Sequence, residues 1–297
     1  MVKCATCAVK NKCRKDLKCE LIKPKYGKIK HVVGVISGKG GVGKSTVTGI
    51  IAVQLRKLGY KVGVLDGDIT GPSIPRFFGL EKERTGYAPT EVKDAYKFVP
   101  VETGLGIKAI SMNFMLGEEE EPLLWKGPVL GNVLVQLFTD TDWGELDYLL
   151  IDMPPGTGDI AMTIMEQFPV DYLVMVSTPQ SMVSMIVQKV VNMAEKLEIP
   201  VKGVIQNMAY FQCQGCGERH NVFTNNSAQS QADKMGLKLL AELPINPEFT
   251  DYLEDGQAER FAATNPEYDV IYEAFKTDDE EIYARNKAVK KKVIPFL

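Results

Sequence analysis

The chain has 297 residues, 45% hydrophobic and 25% charged, a balance that excludes a disordered, fibrous or small disulfide-stapled protein. No run of 18 apolar residues occurs, so no membrane-spanning helix is expected and the cytoplasm is the expected compartment. The net charge of -3 hides an asymmetry: residues 1–30 carry ten Lys/Arg against two Asp/Glu, and the remainder carries 25 against 36.

That basic head contains Cys4, Cys7, Cys13 and Cys19. It lacks the amphipathic pattern of a mitochondrial presequence and the apolar run of a secretory signal. Four thiols within sixteen residues suffice for one metal or 4Fe-4S site in a single chain, and basic surroundings favour thiolates; zinc is the competing occupant. Six cysteines, grouped as these four and one later pair, do not make a secreted disulfide framework.

From His31 the run HVVGVIS predicts a strand, followed by a glycine-rich turn and a helix closed by Gly59. The turn fits the phosphate-loop pattern G-x-x-x-x-G-K-[ST] from Gly38 to Ser45. Gly38, Lys39, Gly40, Gly41, Val42, Gly43, Lys44, Ser45 and Thr46 are the expected nucleotide-binding residues. Glycines let backbone N–H groups point inward, and the helix N-terminus adds partial positive charge. Lys44 is expected on the β and γ phosphates and Ser45 on Mg2+. A second lysine, Lys39, is not needed for cradling. At the mouth of the loop it is suited to reach the nucleotide of a second subunit, as an arginine finger does, which would make hydrolysis depend on dimerisation.

The next strand, KVGVLD, ends at Asp66. In the DGD string that follows from it, Asp68 is the carboxylate expected to orient the attacking water. Residues 81–122 are less regular and end in GEEEEP, read as a solvated loop. A further strand closes at Asp152, expected to hold Mg2+ through water. The runs DYLLID, DYLVMVS and VKGVIQNM have the near-continuous apolar character of parallel strands covered on both faces, and a helix is expected over 181–198. This alternation predicts an α/β fold: a doubly wound, mainly parallel sheet with helices on both faces. It occupies 31–275, between the Cys-rich tail 1–30 and a charged tail 276–297.

Cys213 and Cys216 follow a strand and supply half of a four-ligand site. His220 adds one ligand and leaves the set incomplete, whereas two chains about a two-fold axis supply four thiolates. Spacing alone leaves zinc and iron–sulfur both open. His31 and His220 are the only histidines, so Ser-His or Cys-His catalysis has little material; His31, at a strand edge, is read as structural.

KGGVGKST resembles the deviant Walker A motif of the ATPases that include Mrp-type iron–sulfur carriers, MinD- and ParA-type positioning ATPases, arsenite-pump ATPases and the nitrogenase iron protein. Longer strings, LDGDITGPSIPRFFGL, WKGPVLGNVLVQLF, WGELDYLLIDMPPGTGD and VSTPQ, are similar to the Mrp/NBP family over nearly all of 31–260. The resemblance implies a P-loop NTPase that works as a nucleotide-sandwich homodimer, with Lys39 as the lysine that crosses between subunits. It implies that Gly156, in DMPPGTGD, contacts the γ-phosphate and that Asn207 contacts adenine. It also implies a 4Fe-4S cluster bridged by Cys213 and Cys216 of two chains, and it likens C-x2-C-x5-C of the head to an amino-terminal cluster motif. Cys19 lies downstream of that triplet, where the family's remaining cysteine lies upstream. Gln206 and Ala209 replace the family's usual Glu and Ser, and FTNNSAQ replaces its glycine-rich stretch after the cysteines.

The resulting expectation is an ATPase using ATP, Mg2+ and a 4Fe-4S cluster, delivering clusters to apo iron–sulfur proteins, with no nucleic-acid partner and no stable membrane association. ATP over GTP follows from the resemblance, since no Asn-Lys-x-Asp string occurs. The competing readings are a MinD/ParA-type positioning ATPase, an ATP-dependent iron–sulfur reductase and a zinc-stabilised regulatory switch.

Overall fold

The computed structural model describes residues 21–276 apart from 70, 72, 93–94, 116–126, 181–182 and 225. The tail cysteines Cys4, Cys7, Cys13 and Cys19, the acidic run at 117–122 and residues 277–297 lie outside the described residues.

In chain order, strand β1 (Tyr26–Ser37) leads through the glycine-rich loop to helix α1 (Lys44–Lys57), then β2 (Val62–Asp66) and the short helix α2 (Ile74–Phe78). A hairpin of β3 (Gly86–Pro89) and β4 (Tyr96–Val99) follows, with two short strands, β5 (Val101–Glu102) and β6 (Lys108–Ile110). Next come α3 (Gly127–Thr139), β7 (Asp142–Asp152), α4 (Asp159–Gln167), β8 (Tyr172–Ser177), α5 (Val183–Lys196) and β9 (Val201–Gln206). A second hairpin, β10 (Phe211–Gln212) and β11 (Arg219–His220), precedes α6 (Ala228–Lys234), β12 (Leu239–Glu242), α7 (Pro247–Glu254), α8 (Ala258–Thr264) and α9 (Asp269–Phe275).

The main sheet among the described residues has eight strands in the order β12-β9-β8-β1-β7-β2-β6-β5. Every neighbouring pair is parallel except the edge pair of β5 and β6. Alternate residues of each strand enter two separate cores. Val33 and Val35, with Tyr148 and Leu150, pack against α1, α2 and α7 to α9. Val32 and Ile36, with Leu149 and Ile151, pack against α3 to α6. Both faces are covered, which is why these strands read as unbroken apolar runs. The fold is doubly wound, as the alternation predicts.

Two regions differ from the sequence-based expectation. The first strand starts at Tyr26, ahead of His31. Its polar opening segment, with Lys28 and Lys30 exposed, pairs with β7 from Tyr26↔Asp142 onward. Hydrophobicity alone does not reveal a strand half that projects past the covered core. Residues 81–110 are also more ordered than their composition suggests. β6 joins the main sheet beside β2, and the β3–β4 hairpin is tied on where the Phe98 amide donates to the Asp140 carbonyl at 2.9 Å. Strands of two to four residues are too short to display a period.

Helix α1 is buried along ten of its fourteen residues, from Lys44 to Leu55. Its sequence therefore lacks a polar stripe. At Gly49 the ring of Phe77 presses so close that a Cβ would lie 2.4 Å from two ring carbons. Phe77 is 1% exposed and has no room to yield. Gly49→Ala is expected to lower stability by about 1–3 kcal/mol through overpacking, as urea unfolding of the nucleotide-free protein would report; an unchanged midpoint would contradict this packing.

Candidate functional site

The parallel strands end on one edge, and the glycine-rich loop lies there between β1 and α1. Gly43 caps α1 in the left-handed conformation, with φ 77°, and a Cβ at Gly43 would sit 2.3 Å from the Asn207 amide nitrogen. Both facts demand glycine. The loop encloses a cavity of about 240 Å3, whose lining includes Lys39, Gly40, Gly41, Lys44, Ser45, Thr46 and Asp68.

At its floor Lys44 is 6% exposed and its Nζ lies 2.8 Å from Asp152 Oδ2 and 3.5 Å from Asp68 Oδ2. Ser45 Oγ donates to the same Asp152 oxygen at 2.6 Å, and Thr48 Oγ1 lies 2.8 Å from Asp152 Oδ1. Asp152 is fully buried and both of its oxygens are engaged. Burial opposes the charge on Lys44, but Asp152, then Asp68 and Asp66, outweigh it and hold its pKa above the ordinary lysine value.

The register of β2 against β7 places Asp66 directly beside Asp152. Asp66 accepts from Ser111 Oγ at 3.1 Å and from the Asp68 amide at 3.2 Å. Burial first, and then the charge of Asp152, push its carboxyl up to about 8.

Three further candidates have defined contacts. The side chain of Lys39 donates to Gln180 Oε1. The Gly156 amide donates to the Ser37 carbonyl at 2.8 Å, which ties the Pro-Pro-Gly segment to the root of the loop. Asn207, 8% exposed, donates from Nδ2 to the Val42 carbonyl at 2.9 Å. Val42 itself is buried, and Gly38 is wedged under α5, where a Cβ would lie 3.1 Å from the Val187 amide nitrogen.

Cys213 and Cys216 occupy the turn of the β10–β11 hairpin. The Cys213 carbonyl accepts from the Gly217 amide at 2.8 Å, and its own amide donates to the Glu218 carbonyl at 2.9 Å. The amides of Cys216 and Gly215 donate to the Cys213 sulfur and, with the Cys216 side chain, hold its thiol below the ordinary cysteine value. Cys216 is exposed, and both thiols are free. Among the described residues no group of three or more His, Cys, Asp or Glu is placed to hold a metal. His220 is exposed, with Nε2 4.0 Å from Glu218, and His31 lies in the core, its ring 5.0 Å from that of Tyr148.

Sequence reasoning missed Thr48, Ser111 and Gln180. Thr48 was within reach of it, one helical turn beyond Lys44 and so on the same face. Ser111 and Gln180 are brought in from distant segments by the sheet, and no local spacing marks them.

Residues 28–278 match the ParA family, described as NUBPL iron-transfer P-loop NTPase. The chain belongs to this family. Its relatives include an iron–sulfur cluster carrier protein of Clostridium perfringens, 55% identical over 282 residues that cover 92% of this chain and 99% of the relative. The cytosolic Fe-S cluster assembly factor CFD1 of Saccharomyces cerevisiae is 40% identical over 76% of this chain and 78% of the relative. Among solved structures, the nucleotide-binding protein of Archaeoglobus fulgidus, in complex with ADP, superposes with a TM-score of 0.69 at 40% identity, over 81% of this chain and 90% of that one. MinD of Aquifex aeolicus, in its complex with MinC, has a TM-score of 0.58 at 22% identity, over 83% and 94%. That likeness shows the shared P-loop fold. No described helix is long and apolar enough to cross a membrane.

The Asp66 carboxyl carries a pH signature. The folded chain holds this proton more tightly than the unfolded chain, whose value is near 3.8. The contribution to stability is therefore complete below about pH 4, falls as pH rises and levels off beyond about 8. Asp66→Asn removes this loss, so in urea unfolding the variant should gain on wild type between about pH 5 and about pH 8; parallel pH profiles would refute the assignment.

Proposed function

We propose that the protein is an ATP-hydrolysing iron–sulfur cluster carrier that works as a cytoplasmic nucleotide-sandwich homodimer. Its cargo is a 4Fe-4S cluster held between Cys213 and Cys216 of two subunits and delivered to apo iron–sulfur proteins. The carrying observation is the β10–β11 hairpin: it offers two free thiols, one of them activated by backbone amides, on the segment that leaves β9 at Asn207. Two thiols are half of a cluster's usual protein ligand set, and a second copy of the chain supplies the other half. The relatives' names as cluster carriers support this reading. The Cys-rich tail 1–30 is proposed as a separate cluster site preceding the ATPase body, and 276–297 as a charged tail.

The cavity beside Lys44, lined by Gly40, Gly41 and Gly43 and by a buried cation, suits the phosphates of ATP. The neighbouring oxygens of Ser45 and Asp152 suit a hard cation that keeps several waters, and so suit Mg2+. When bound, Mg2+ supplies charge neutralisation between the phosphates. Asp68, at the cavity wall and 14% exposed, orients the attacking water. As water oxygen bonds to the γ-phosphorus, the bond to the ADP oxygen breaks, and Lys44 in cis and Lys39 in trans stabilise the charge that develops. Gly156 gives up the Ser37 carbonyl to meet the γ-phosphate, and Asn207 contacts adenine. A positioning ATPase shares this pocket but has no use for the thiol hairpin.

Protein reconstituted anaerobically should contain iron and acid-labile sulfide that fall in Cys213→Ala/Cys216→Ala, measured beside zinc per chain; zinc without sulfide would overturn the carrier reading. Lys39→Ala should keep nucleotide binding and lose turnover by roughly a hundredfold or more; unchanged turnover would remove the trans role.

A further inference from the structure

The string VSTPQ ends at Gln180, immediately beyond β8, and the ATPase mechanism leaves this residue without a task. Its side-chain oxygen accepts from Lys39 Nζ across 141 positions of sequence. We propose that Gln180 is a positioning residue for Lys39: it parks the lysine on its own subunit in the nucleotide-free chain and must release it before Lys39 can serve a partner. The proposal rests on the trans role of Lys39 given above.

The two lysines of the loop have different kinds of partner. Lys44 is buried and paired with a carboxylate, an arrangement that is expensive to break without a replacement anion. Lys39 is half-buried and held by a neutral amide. An amide oxygen satisfies one N–H of the ammonium without neutralising it, so the phosphates of a facing nucleotide outcompete it.

The backbone beneath the lysine is fixed. The Lys39 carbonyl accepts from Ser37 Oγ at 2.9 Å, and the wedged Gly38 next to it leaves little freedom for the loop root to shift. Release is therefore a side-chain event: the ammonium leaves Gln180 while the cradle for the subunit's own phosphates stays formed. Gln180 does not line that cavity, so changing it separates parking from nucleotide binding.

The test is the dimerisation constant, measured by sedimentation velocity with Mg2+ and a non-hydrolysable ATP analogue. Gln180→Ala removes the competing cis contact from both subunits and should tighten dimerisation roughly tenfold to a hundredfold, the worth of two partly exposed hydrogen bonds per dimer. Gln180→Glu, of nearly the same shape, turns the contact into an ion pair and should weaken dimerisation. Both effects should vanish in a Lys39→Ala background. A Gln180→Ala change of equal size in that background would make the residue merely structural and overturn the proposal, as would no change with Lys39 present. Failure of the underlying trans-lysine reading shows separately, as a Lys39→Ala chain that dimerises like wild type.

Discussion

The buried pair of Lys44 and Asp152 is the constraint on which the nucleotide site depends. A lysine at 6% exposure and a carboxylate at 0% would each be untenable alone in this interior, since removing one member of such a pair costs about 3–5 kcal/mol. Lys44 opens α1 and Asp152 closes β7, so the pair holds only while β7 lies directly beside β1. That adjacency also fixes the crossover of the chain from β7 over β1 to β8, and with it the crevice where phosphate is expected to bind. The cation is thus formed and oriented by the fold before any ligand arrives.

The same register creates an excess of carboxyl groups. Asp66, Asp68 and Asp152 crowd one buried lysine, and the chain relieves part of the strain by leaving a proton on Asp66 into the neutral range. A pocket with this balance is poorly suited to a bare triphosphate. Binding one calls for additional positive charge, which is the demand that the proposed Mg2+ and Lys39 would answer. The two lysines of the loop differ in the same way: Lys44 is paired with the protein's own carboxylates, whereas Lys39 meets the neutral amide of Gln180.

Legibility in the sequence followed the range of the interactions. The loop, α1 and the aspartates at strand ends were readable because each is local: glycines at fixed offsets, a β-branched run before them and a carboxylate where the run stops. The doubly wound sheet was readable because strands covered on both faces cannot hide polar residues. Ser111 on Asp66 and Gln180 on Lys39 were not, because each contact exists only after the strands are ordered. The β5–β6 edge was hidden because its strands are too short to display a period, and the polar start of β1 for a different reason. Backbone pairing holds that segment with little side-chain burial, and backbone pairing leaves no mark on composition.

Between the nucleotide loop and the thiols the link is short: one hydrogen bond to Asn207 and the chain from there to Cys213. Asn207 grips the Val42 carbonyl at the end of β9, and its own amide donates to the Ser177 carbonyl of β8 at 2.8 Å. The next residue, Met208, takes φ 54°, a left-handed value that a side chain rarely adopts and that persists only where surrounding contacts enforce it. Beyond it the Ala209 amide donates to the Leu243 carbonyl at 2.8 Å, and the Ile245 amide donates to the Tyr210 carbonyl at 2.7 Å. Arg219 then stacks on Tyr210 at 3.4 Å across the hairpin's base. Each step is a backbone bond or a stacked ring, so the segment between Asn207 and Cys213 has little slack to absorb a movement of the loop.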